Sequence, residues 1–222
     1  MRLKCDPAFS RPGMERRNDP EFRELLFRHS IFIDNLFLRG DSMKESISIM
    51  IPESEIEKRT REIGEAISRD YAGKTVHMIC VLKGGVYFMT ALSKRISEDV
   101  PVTLDFMSVS SYGDDTKSSG VVKIVKDLDE PLEGKDVLIV EDIIDSGRTL
   151  YYLLDIIKGR KPASVRLCTL LDKPQRRERD VHVDYTGFNI EDRFVIGCGM
   201  DYKQKYRNLP YIGEVILSEE EQ

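Results

Sequence analysis

The sequence has no run of eighteen or more apolar residues, which is the length that a membrane-spanning helix needs. It also has no excess of positive charge, because 34 lysines and arginines stand against 39 aspartates and glutamates and leave a formal net charge of −5. A membrane partner is therefore not expected, and bulk charge does not favour a nucleic-acid partner. The first residues lack the apolar core of a secretory signal, so we expect a cytoplasmic protein.

Cysteine and histidine are scarce, and neither shows the spacing of metal ligands. The chain has four cysteines and three histidines: Cys5, Cys80, Cys168, Cys198, His29, His77 and His182. No Cys-x-x-Cys pair occurs, which argues against a zinc site of common spacing. Cys80 and Cys168 lie inside apolar runs, so we expect buried free thiols in a reducing cytosol rather than disulfides. The histidines are expected to be structural or to lie on the surface.

The first 42 residues differ in composition from the rest of the 222-residue chain. Residues 1–18 are rich in arginine, lysine and proline, and residues 21–38 mix Phe, Leu and Ile with charges in a way that allows a surface helix. The segment is either a genuine extension or a stretch upstream of a true start at Met43, and the sequence favours the second interpretation. We expect one domain over residues 43–222, with residues 1–42 as an N-terminal extension outside its core.

Strand-like and helix-like segments alternate from Met43 onward. Apolar runs predict strands at 47–51, 76–82, 102–108, 121–126, 137–140 and 164–171, and helical spacing predicts helices ending near Tyr71, running over 86–96 and beginning near Leu150. Ser54 and Glu57 have the spacing of a capping box, and Gly73 is expected to end the first helix. The alternation predicts an α/β fold with a mostly parallel sheet, whose ligands bind at the carboxyl ends of the strands.

One stretch combines a buried strand with a polar turn. Residues 137–140 are all apolar, three of them β-branched, and the acidic pair Glu141-Asp142 follows directly. The turn at 145–149 then leads into a helical pattern. Free backbone N–H groups in such a turn, with the hydroxyls of Ser146 and Thr149, form a cradle for phosphate. Carboxylates beside a phosphate site suit the hydroxyls of a sugar, so this stretch predicts a phosphorylated sugar as the ligand.

This stretch resembles the phosphoribosyl pyrophosphate (PRPP) motif of the type I phosphoribosyltransferases. From about Met43 to Val215 the chain resembles their hypoxanthine(-guanine) branch, of the shorter bacterial kind. Five motifs carry the resemblance: Leu82-Lys83-Gly84-Gly85, Ser110-Ser111-Tyr112-Gly113, residues 141–149, Leu171-Asp172-Lys173-Pro174, and Phe194-Val195 through Asp201-Tyr202 to Arg207-Asn208-Leu209. The resemblance implies a mostly parallel twisted sheet flanked by helices, with a small hood built from chain-terminal segments.

The resemblance also implies a reaction, which is purine salvage by Mg²⁺-dependent transfer of the 5-phosphoribosyl group from PRPP to hypoxanthine or guanine. The products are IMP or GMP and pyrophosphate. The leaving pyrophosphate is assigned to Lys83, Gly84 and Arg207, because cations and backbone N–H groups stabilise the charge that builds there. The peptide bond before Lys83 is expected to be cis. Ser111 and Tyr112 are expected to belong to a lid that excludes water.

The ribose and its phosphate are assigned to the central stretch. Glu141 and Asp142 match the pair that contacts the ribose hydroxyls and their Mg²⁺, and Asp201 is the best candidate for a direct metal ligand. The 5′-phosphate is assigned to the turn residues Asp145, Ser146, Gly147, Arg148 and Thr149. Arg148 is expected to assist phosphate or to face solvent, without a further role.

Asp145 matches the carboxylate that lies near purine N7 and acts as general base or acid. Such a group works better when burial raises its pKa, and packing against Ile143 and Ile144 is expected to provide that burial. A helix N-cap is the competing interpretation of Asp145, and both roles are compatible.

The purine itself is assigned to a second group of residues. Lys173 is expected to donate to the 6-oxo group, and Phe194 is expected to stack on the ring, unless Phe194 belongs to the core. The backbone of Val195, with Asp201, is expected to read the 2-position. The resemblance leaves the preference between hypoxanthine and guanine open.

Two other functions remain compatible with the same fold. One is a PRPP-sensing regulator that binds nucleic acid, and the other is an enzyme for xanthine or adenine. The arginine clusters at 59–61 and 176–179 are modest and interrupted by acidic residues, which disfavours an RNA-binding face. The expected partners are therefore PRPP and a purine base, with neither nucleic acid nor membrane. A homodimer or homotetramer is implied, and the sequence does not decide between them.

Overall fold

The computed structural model describes residues 44–111 and 122–218, and Glu45–Ile216 fall within one compact unit. The expected extension, residues 1–42, and the expected lid residue Tyr112 lie outside the described residues. Ser111 is the last described residue before the gap, and its backbone ends a strand. Among the described residues, no helix is long and apolar enough to cross a lipid bilayer.

A six-stranded sheet forms the centre of the fold. Its strands are β2 (Val76–Leu82), β3 (Val102–Ser111), β4 (Val122–Lys126), β5 (Asp136–Ile144), β6 (Ser164–Asp172) and β7 (Tyr185–Asn189). Their order across the sheet is β4-β3-β2-β5-β6-β7. Neighbouring strands are parallel except for β3 and β4, which are antiparallel. This confirms the mostly parallel sheet. Strand β5, which carries the acidic pair, lies between β2 and β6 rather than at an edge.

Three helices cover the two faces of this sheet: α1 (Glu53–Asp70), α2 (Val86–Ser93) and α3 (Arg148–Gly159). Successive side chains of a strand point to opposite faces, so each central strand serves two cores. Met78 and Leu138 belong to the core shared with α1 and α2, whereas Ile79 and Ile139 belong to the core shared with α3. Residues 137–140 of β5 are entirely apolar because helices cover both faces of the sheet there.

A second, smaller sheet is built from segments near the two ends of the described chain. It contains β1 (Lys44–Ile51), β8 (Val195–Ile196) and β9 (Ile212–Ser218), in the order β1-β9-β8. Strands β8 and β9 are antiparallel, with Val195 paired to Glu214. This sheet confirms the hood that the family resemblance implies.

Strand β7 lies at an edge of the large sheet and is covered by a side chain from α1. The Nε of Arg59 donates a hydrogen bond of 3.0 Å to the carbonyl oxygen of Gly187, and its second terminal nitrogen donates one of 2.8 Å to that of Thr186. Arg59 also pairs with Glu62 on its own helix. The guanidinium therefore joins α1 to the edge strand.

Three local predictions differ from the structure. The capping box is wrong: α1 begins at Glu53, its N-cap is Pro52, and no side chain caps it. Helix α2 ends at Ser93 instead of extending to residue 96. The central strand continues to Ile144 rather than ending before the acidic pair. The predicted end of α1 is confirmed, because Gly73 adopts a positive φ of 74° two residues after the C-cap.

Cysteine usage agrees with the prediction of free thiols. Cys80 and Cys168 are buried and Cys198 is half-buried, and all three are free. Burial raises the pKa of the Cys80 thiol to about 12, which makes it a poor nucleophile. Cys5 lies outside the described residues.

Candidate active site

The candidate site lies where the carboxyl ends of β2, β5 and β6 meet. Parallel register brings these ends together, because Ile144 of β5 pairs with Asp172 of β6. The backbone N–H of Lys173 then donates 2.9 Å to the carbonyl oxygen of Ile144. The turn that follows β5 therefore lies beside Lys173 at the carboxyl ends of the strands, which is where ligands bind in open α/β sheets.

The acidic pair occupies the last part of β5. Glu141 and Asp142 keep some solvent contact, but the protein atoms packed around them displace most of their water. This desolvation raises the pKa of both carboxyls, and the neighbouring Asp142 charge raises that of Glu141 further. The Asp142 carboxylate accepts a hydrogen bond of 2.9 Å from the N–H of Ile143.

The segment after β2 is held tightly against the acidic pair. The peptide bond Leu82–Lys83 is cis, as expected, and the Lys83 side chain is exposed. A β-carbon on Gly84 would lie 1.7 Å from Oδ2 of Asp142. On the other side, a β-carbon on Gly199, whose φ is +106°, would lie 1.9 Å from the carbonyl oxygen of Gly84. The Gly84 backbone is therefore enclosed between Asp142 and Gly199, and both glycines are required by close approach.

Arg207 reaches the same place from the segment before β9. Its guanidinium donates a hydrogen bond of 2.6 Å to the carbonyl oxygen of Gly199 and forms an ion pair of 2.5 Å with Asp201. The other carboxylate oxygen of Asp201 accepts a hydrogen bond of 2.7 Å from the N–H of Gln204. The expected pyrophosphate residues Gly84 and Arg207 are thus brought together through Gly199.

The expected phosphate turn leads directly into α3. Gly147 is the N-cap of this helix and adopts a φ of +76°, so the competing interpretation of Asp145 as the N-cap is wrong. The turn residues Asp145, Ser146, Gly147 and Thr149 line a cleft of about 270 Å³ together with Glu141. The N–H of Arg148 donates a 3.4 Å hydrogen bond to Ser146 Oγ. The N-terminus of α3 and the adjacent hydroxyls give this cleft the character of an anion site. The side chain of Arg148 is exposed and paired with Glu178.

Asp145 is less buried than the sequence suggested. Its side chain is 45% exposed, so the expected enclosure by Ile143 and Ile144 is wrong. Instead, its carboxylate accepts 2.9 Å from Nε of Arg176. The backbone carbonyl of Asp145 accepts a further 3.1 Å hydrogen bond from Arg177.

The purine-side residues divide into buried and exposed members. Lys173 is buried, and its ammonium lies 3.5 Å from Oδ1 of Asp192. Val195 is buried in β8. Phe194 is 58% exposed, which excludes the alternative that it is a core residue. Its ring meets that of Tyr202 edge-on at 5.8 Å between centroids.

Sequence reasoning missed Arg176 and Asp192, which join the two halves of this site. Arg176 contacts Asp145, 31 residues earlier, and Asp192, 16 residues later. No local pattern predicts such pairs, although Arg176 directly follows the Lys173-Pro174-Gln175 stretch. Within the described part of the chain, no group of three or more His, Cys, Asp or Glu side chains has the geometry of a metal site.

Comparison with known proteins decides the family. Residues 51–203 match the model of the phosphoribosyl transferase domain. The chain is 49% identical over 177 residues to the hypoxanthine-guanine phosphoribosyltransferase of Streptococcus thermophilus, which covers 80% of this chain and 96% of that protein. The chain belongs to the type I phosphoribosyltransferases, in their hypoxanthine(-guanine) branch.

Two further matches describe the extent of this phosphoribosyltransferase. A crystal structure of a hypoxanthine-guanine phosphoribosyltransferase from Bacillus anthracis superposes with a TM-score of 0.73 at 42% identity, covering 78% of this chain and 99% of that one. The bifunctional protein TilS/HprT of Listeria monocytogenes is 52% identical over 208 residues, which is 93% of this chain but 31% of that protein. The chain thus spans about a third of the length of this bifunctional relative.

Proposed function

We propose that this phosphoribosyltransferase transfers the 5-phosphoribosyl group of PRPP to hypoxanthine and guanine, giving IMP or GMP and pyrophosphate. The observation that carries the proposal is a buried lysine, Lys173, held beside the phosphate turn by its backbone bond to Ile144. An ammonium offers donors alone, so it suits the 6-oxo acceptor that these two bases share. The exposed ring of Phe194 supplies a flat apolar surface for the base.

The reaction forms a bond from a purine nitrogen to C1 of the ribose and breaks the bond from C1 to pyrophosphate. Lys83, Arg207 and the backbone at Gly84 stabilise the charge that develops on the leaving group. Glu141 and Asp142 orient the sugar through its hydroxyls. The turn at 145–149 holds the 5′-phosphate at the start of α3, where N–H groups and the helix dipole favour an anion.

Asp145 handles the proton that the purine must lose. Its carboxylate lies at the edge of the phosphate cleft, and Arg176 fixes its direction by a 2.9 Å hydrogen bond. A carboxylate within reach of N7 accepts the proton as the base attacks, and a second proton acceptor is not needed. Ser111 and Tyr112 are proposed to belong to a lid that excludes water from the ribosyl cation.

Mg²⁺ fits the acidic pair. The carboxyls of Glu141 and Asp142 have raised pKa values and no cation within ion-pair distance in the described parts of the chain. Magnesium takes one or two carboxylates and keeps several waters, so Glu141 and Asp142 would hold it together with substrate oxygens. Both oxygens of Asp201 are engaged, by Arg207 and Gln204, which makes Asp201 the weaker candidate. The bound ion would neutralise charge on the pyrophosphate.

Incubation with Mg²⁺, PRPP and each of five bases, followed by chromatography, tests this function. Hypoxanthine and guanine should give IMP and GMP, whereas adenine and uracil should give no product. Product from xanthine alone would favour the xanthine enzyme. No product from any base, together with binding to total RNA that weakens steeply with salt, would favour the regulator.

The assembly and location that accompany this proposal follow from the family resemblance. We propose a homodimer or homotetramer that works in the cytoplasm, bound to neither nucleic acid nor membrane. Light scattering on the purified chain measures its oligomeric state directly, and a monomer at micromolar concentration would contradict this part of the proposal.

A further inference from the structure

Four charged side chains of alternating sign form a continuous chain across the candidate site. The Asp145 carboxylate accepts a hydrogen bond of 2.9 Å from Nε of Arg176. A terminal nitrogen of the same guanidinium donates a hydrogen bond of 3.0 Å to Oδ2 of Asp192. Oδ1 of Asp192 lies 3.5 Å from the ammonium of Lys173. This ion-pair chain, Asp145–Arg176–Asp192–Lys173, joins the carboxylate proposed to take the proton to the lysine proposed to read the base.

We infer that Arg176 and Asp192 are positioning residues that hold Asp145 and Lys173 in register with each other, an inference that rests on the proposed function. Neither residue touches the reacting atoms in this role. Arg176 directs the Asp145 carboxylate, and Asp192 directs the Lys173 ammonium. The purine therefore meets both groups at a fixed separation.

The burial of Lys173 explains why it needs Asp192. The Lys173 side chain is 9% exposed, and a buried ammonium is unfavourable without an acceptor. In the parts of the chain that the structure describes, Asp192 is the only carboxylate within 4.0 Å of this ammonium. An ammonium has three donors, so Asp192 and the 6-oxo group of a purine can be bonded at the same time.

The shape of Arg176 explains why it bridges two carboxylates. A guanidinium is a planar fork, and Nε and a terminal nitrogen of Arg176 point to Asp145 and Asp192 respectively. The backbone N–H of Arg176 donates 3.1 Å to the carbonyl oxygen of Lys173, which fixes the fork relative to the lysine. A lysine at position 176 would keep the charge but would lack the planar fork.

The neighbouring arginine has a different task. Arg177 donates to the backbone carbonyl of Asp145 at 3.1 Å and pairs with the buried Asp172 at 2.5 Å. Arg177 thus holds the backbone of the turn, whereas Arg176 holds the Asp145 side chain. Removal of Arg176 should therefore leave the turn in place and release the carboxylate alone.

Three members of the ion-pair chain are exposed to solvent, so their effect on kinetics can be measured separately from an effect on folding. Arg176, Asp145 and Asp192 are each about half exposed, at 49%, 45% and 48%. Ion pairs this exposed contribute little to stability, because water screens them. Substitutions at 176 and 192 should consequently change the kinetics of the enzyme and leave its melting temperature nearly unchanged.

The test measures kcat and both KM values for Arg176→Gln, Arg176→Lys, Asp192→Asn and the double variant Arg176→Gln with Asp192→Asn. Arg160→Gln is the matched control. Arg160 forms an ion pair with Asp127, with 2.7 Å between their charged atoms, and this pair is not part of the site. Each single variant should lose about 10-fold in kcat/KM for hypoxanthine, which is the scale of coupling within an ion-pair network. Arg176→Gln should act mainly on kcat, and Asp192→Asn mainly on the KM for hypoxanthine.

The remaining readouts identify a positioning role. The KM for PRPP should stay within about 2-fold in every variant, and the double variant should lose less than the product of the single losses. Arg176→Lys should behave like Arg176→Gln. Kinetics of Arg176→Lys equal to those of the unmodified chain, fully multiplicative losses, or variants that match Arg160→Gln would overturn the inference. Absence of turnover in the unmodified chain would overturn the proposed function itself.

Discussion

The backbone of Gly84 rests directly on the carboxylate of Asp142, because a β-carbon at Gly84 would lie 1.7 Å from Oδ2 of Asp142. The segment proposed to bind pyrophosphate and the pair proposed to bind ribose are therefore one packed unit. Movement of either would displace the other. The position of the proposed pyrophosphate-binding backbone therefore depends on residue 84 having no β-carbon.

Replacement of Gly84 by alanine should disrupt PRPP binding. The new methyl group overlaps the Asp142 carboxylate, so either the segment after β2 or the Asp142 side chain must shift. We expect kcat/KM for PRPP to fall by about 10² or more, since a displacement of about 1 Å in a catalytic site has effects of that size. Gly159→Ala is the control, because a β-carbon there has no heavy atom within 4 Å. Equal activity of both variants would contradict the packing argument.

Replacement of Asp145 by asparagine should remove the proton acceptor. We expect kcat to fall by roughly 10²–10⁴, the usual contribution of a general base, with little change in the KM for PRPP. Asn is nearly isosteric and retains one oxygen for Arg176. Undiminished turnover in steady-state assays would remove Asp145 from the mechanism.

Base selectivity should follow from Lys173. Adenine presents a 6-amino group to the ammonium, donor against donor, so its kcat/KM should be lower than that of hypoxanthine by about 10⁴–10⁵. Hypoxanthine and guanine differ at the 2-position alone, where a backbone carbonyl such as that of Val195 would distinguish them by about two orders of magnitude at most. Xanthine places a 2-oxo group against that carbonyl and should be poor. Comparable turnover of adenine and hypoxanthine would refute the role of Lys173.

Stability should depend on pH through a buried histidine far from the chemistry. His77 is buried, its Nδ1 lies 2.7 Å from Thr103 Oγ1, and its Nε2 lacks a hydrogen-bond partner in the described parts of the chain. Burial, followed by the charge of Lys135, lowers the pKa of His77 below its usual 6.5 and outweighs the opposing charge of Asp105, whose Oδ2 lies 3.9 Å from Nε2. At His77 the unfolded chain therefore binds more protons than the folded one below about pH 6.5, and the stability that neutral His77 contributes is lost as pH falls from that value toward the lowered pKa.

The measurement compares unfolding free energies of the unmodified chain and His77→Gln between pH 7 and pH 5. Glu141 acts in the opposite sense, because its raised pKa gives a contribution that is lost as pH rises through the folded value. The difference in unfolding free energy between the two proteins isolates the contribution of His77, because Glu141 is present in both. The unmodified chain should lose more stability than the variant on acidification, and parallel pH curves would rule the histidine out.

A protein that starts at Met43 should fold and keep its activity. Strand β1 begins at Lys44, so this truncation leaves every described strand complete. The relative from Streptococcus thermophilus aligns over 96% of its own length with 80% of this chain, so that family member matches fewer residues than the full chain contains. Turnover and melting temperature of the truncated and full chains decide the matter. Loss of either would show that residues 1–42 contribute to the core.

The strands and the main motifs were predictable because their signals are local. The apolar run at 137–140 and the glycines of the turns carry their own conformational preferences. The length of β5 was not predictable, since its acidic end remains a strand through pairing with β6, where Glu141 meets Thr169. The start of α1 was missed because the carbonyl of Pro52 already accepts the N–H groups of Glu55 and Ile56. A proline before the capping box shifted the helix start.

The environment of Asp145 was the least predictable part of the site. Two apolar neighbours in sequence suggested burial, but Ile144 points into the core while the Asp145 side chain faces Arg176. That arginine belongs to a segment after the next strand. Side-chain pairs between separate loops depend on the register of the whole sheet, which no short motif encodes.

The link between Arg59 and β7 bears on how copies of this protein can associate. Backbone carbonyls on an edge strand are the groups to which a strand of another molecule adds, both in ordered filaments and in aggregates. Arg59 already occupies the carbonyls of Thr186 and Gly187, so an incoming strand would have to displace a guanidinium anchored on α1. Growth by strand addition is therefore disfavoured at this edge of the sheet.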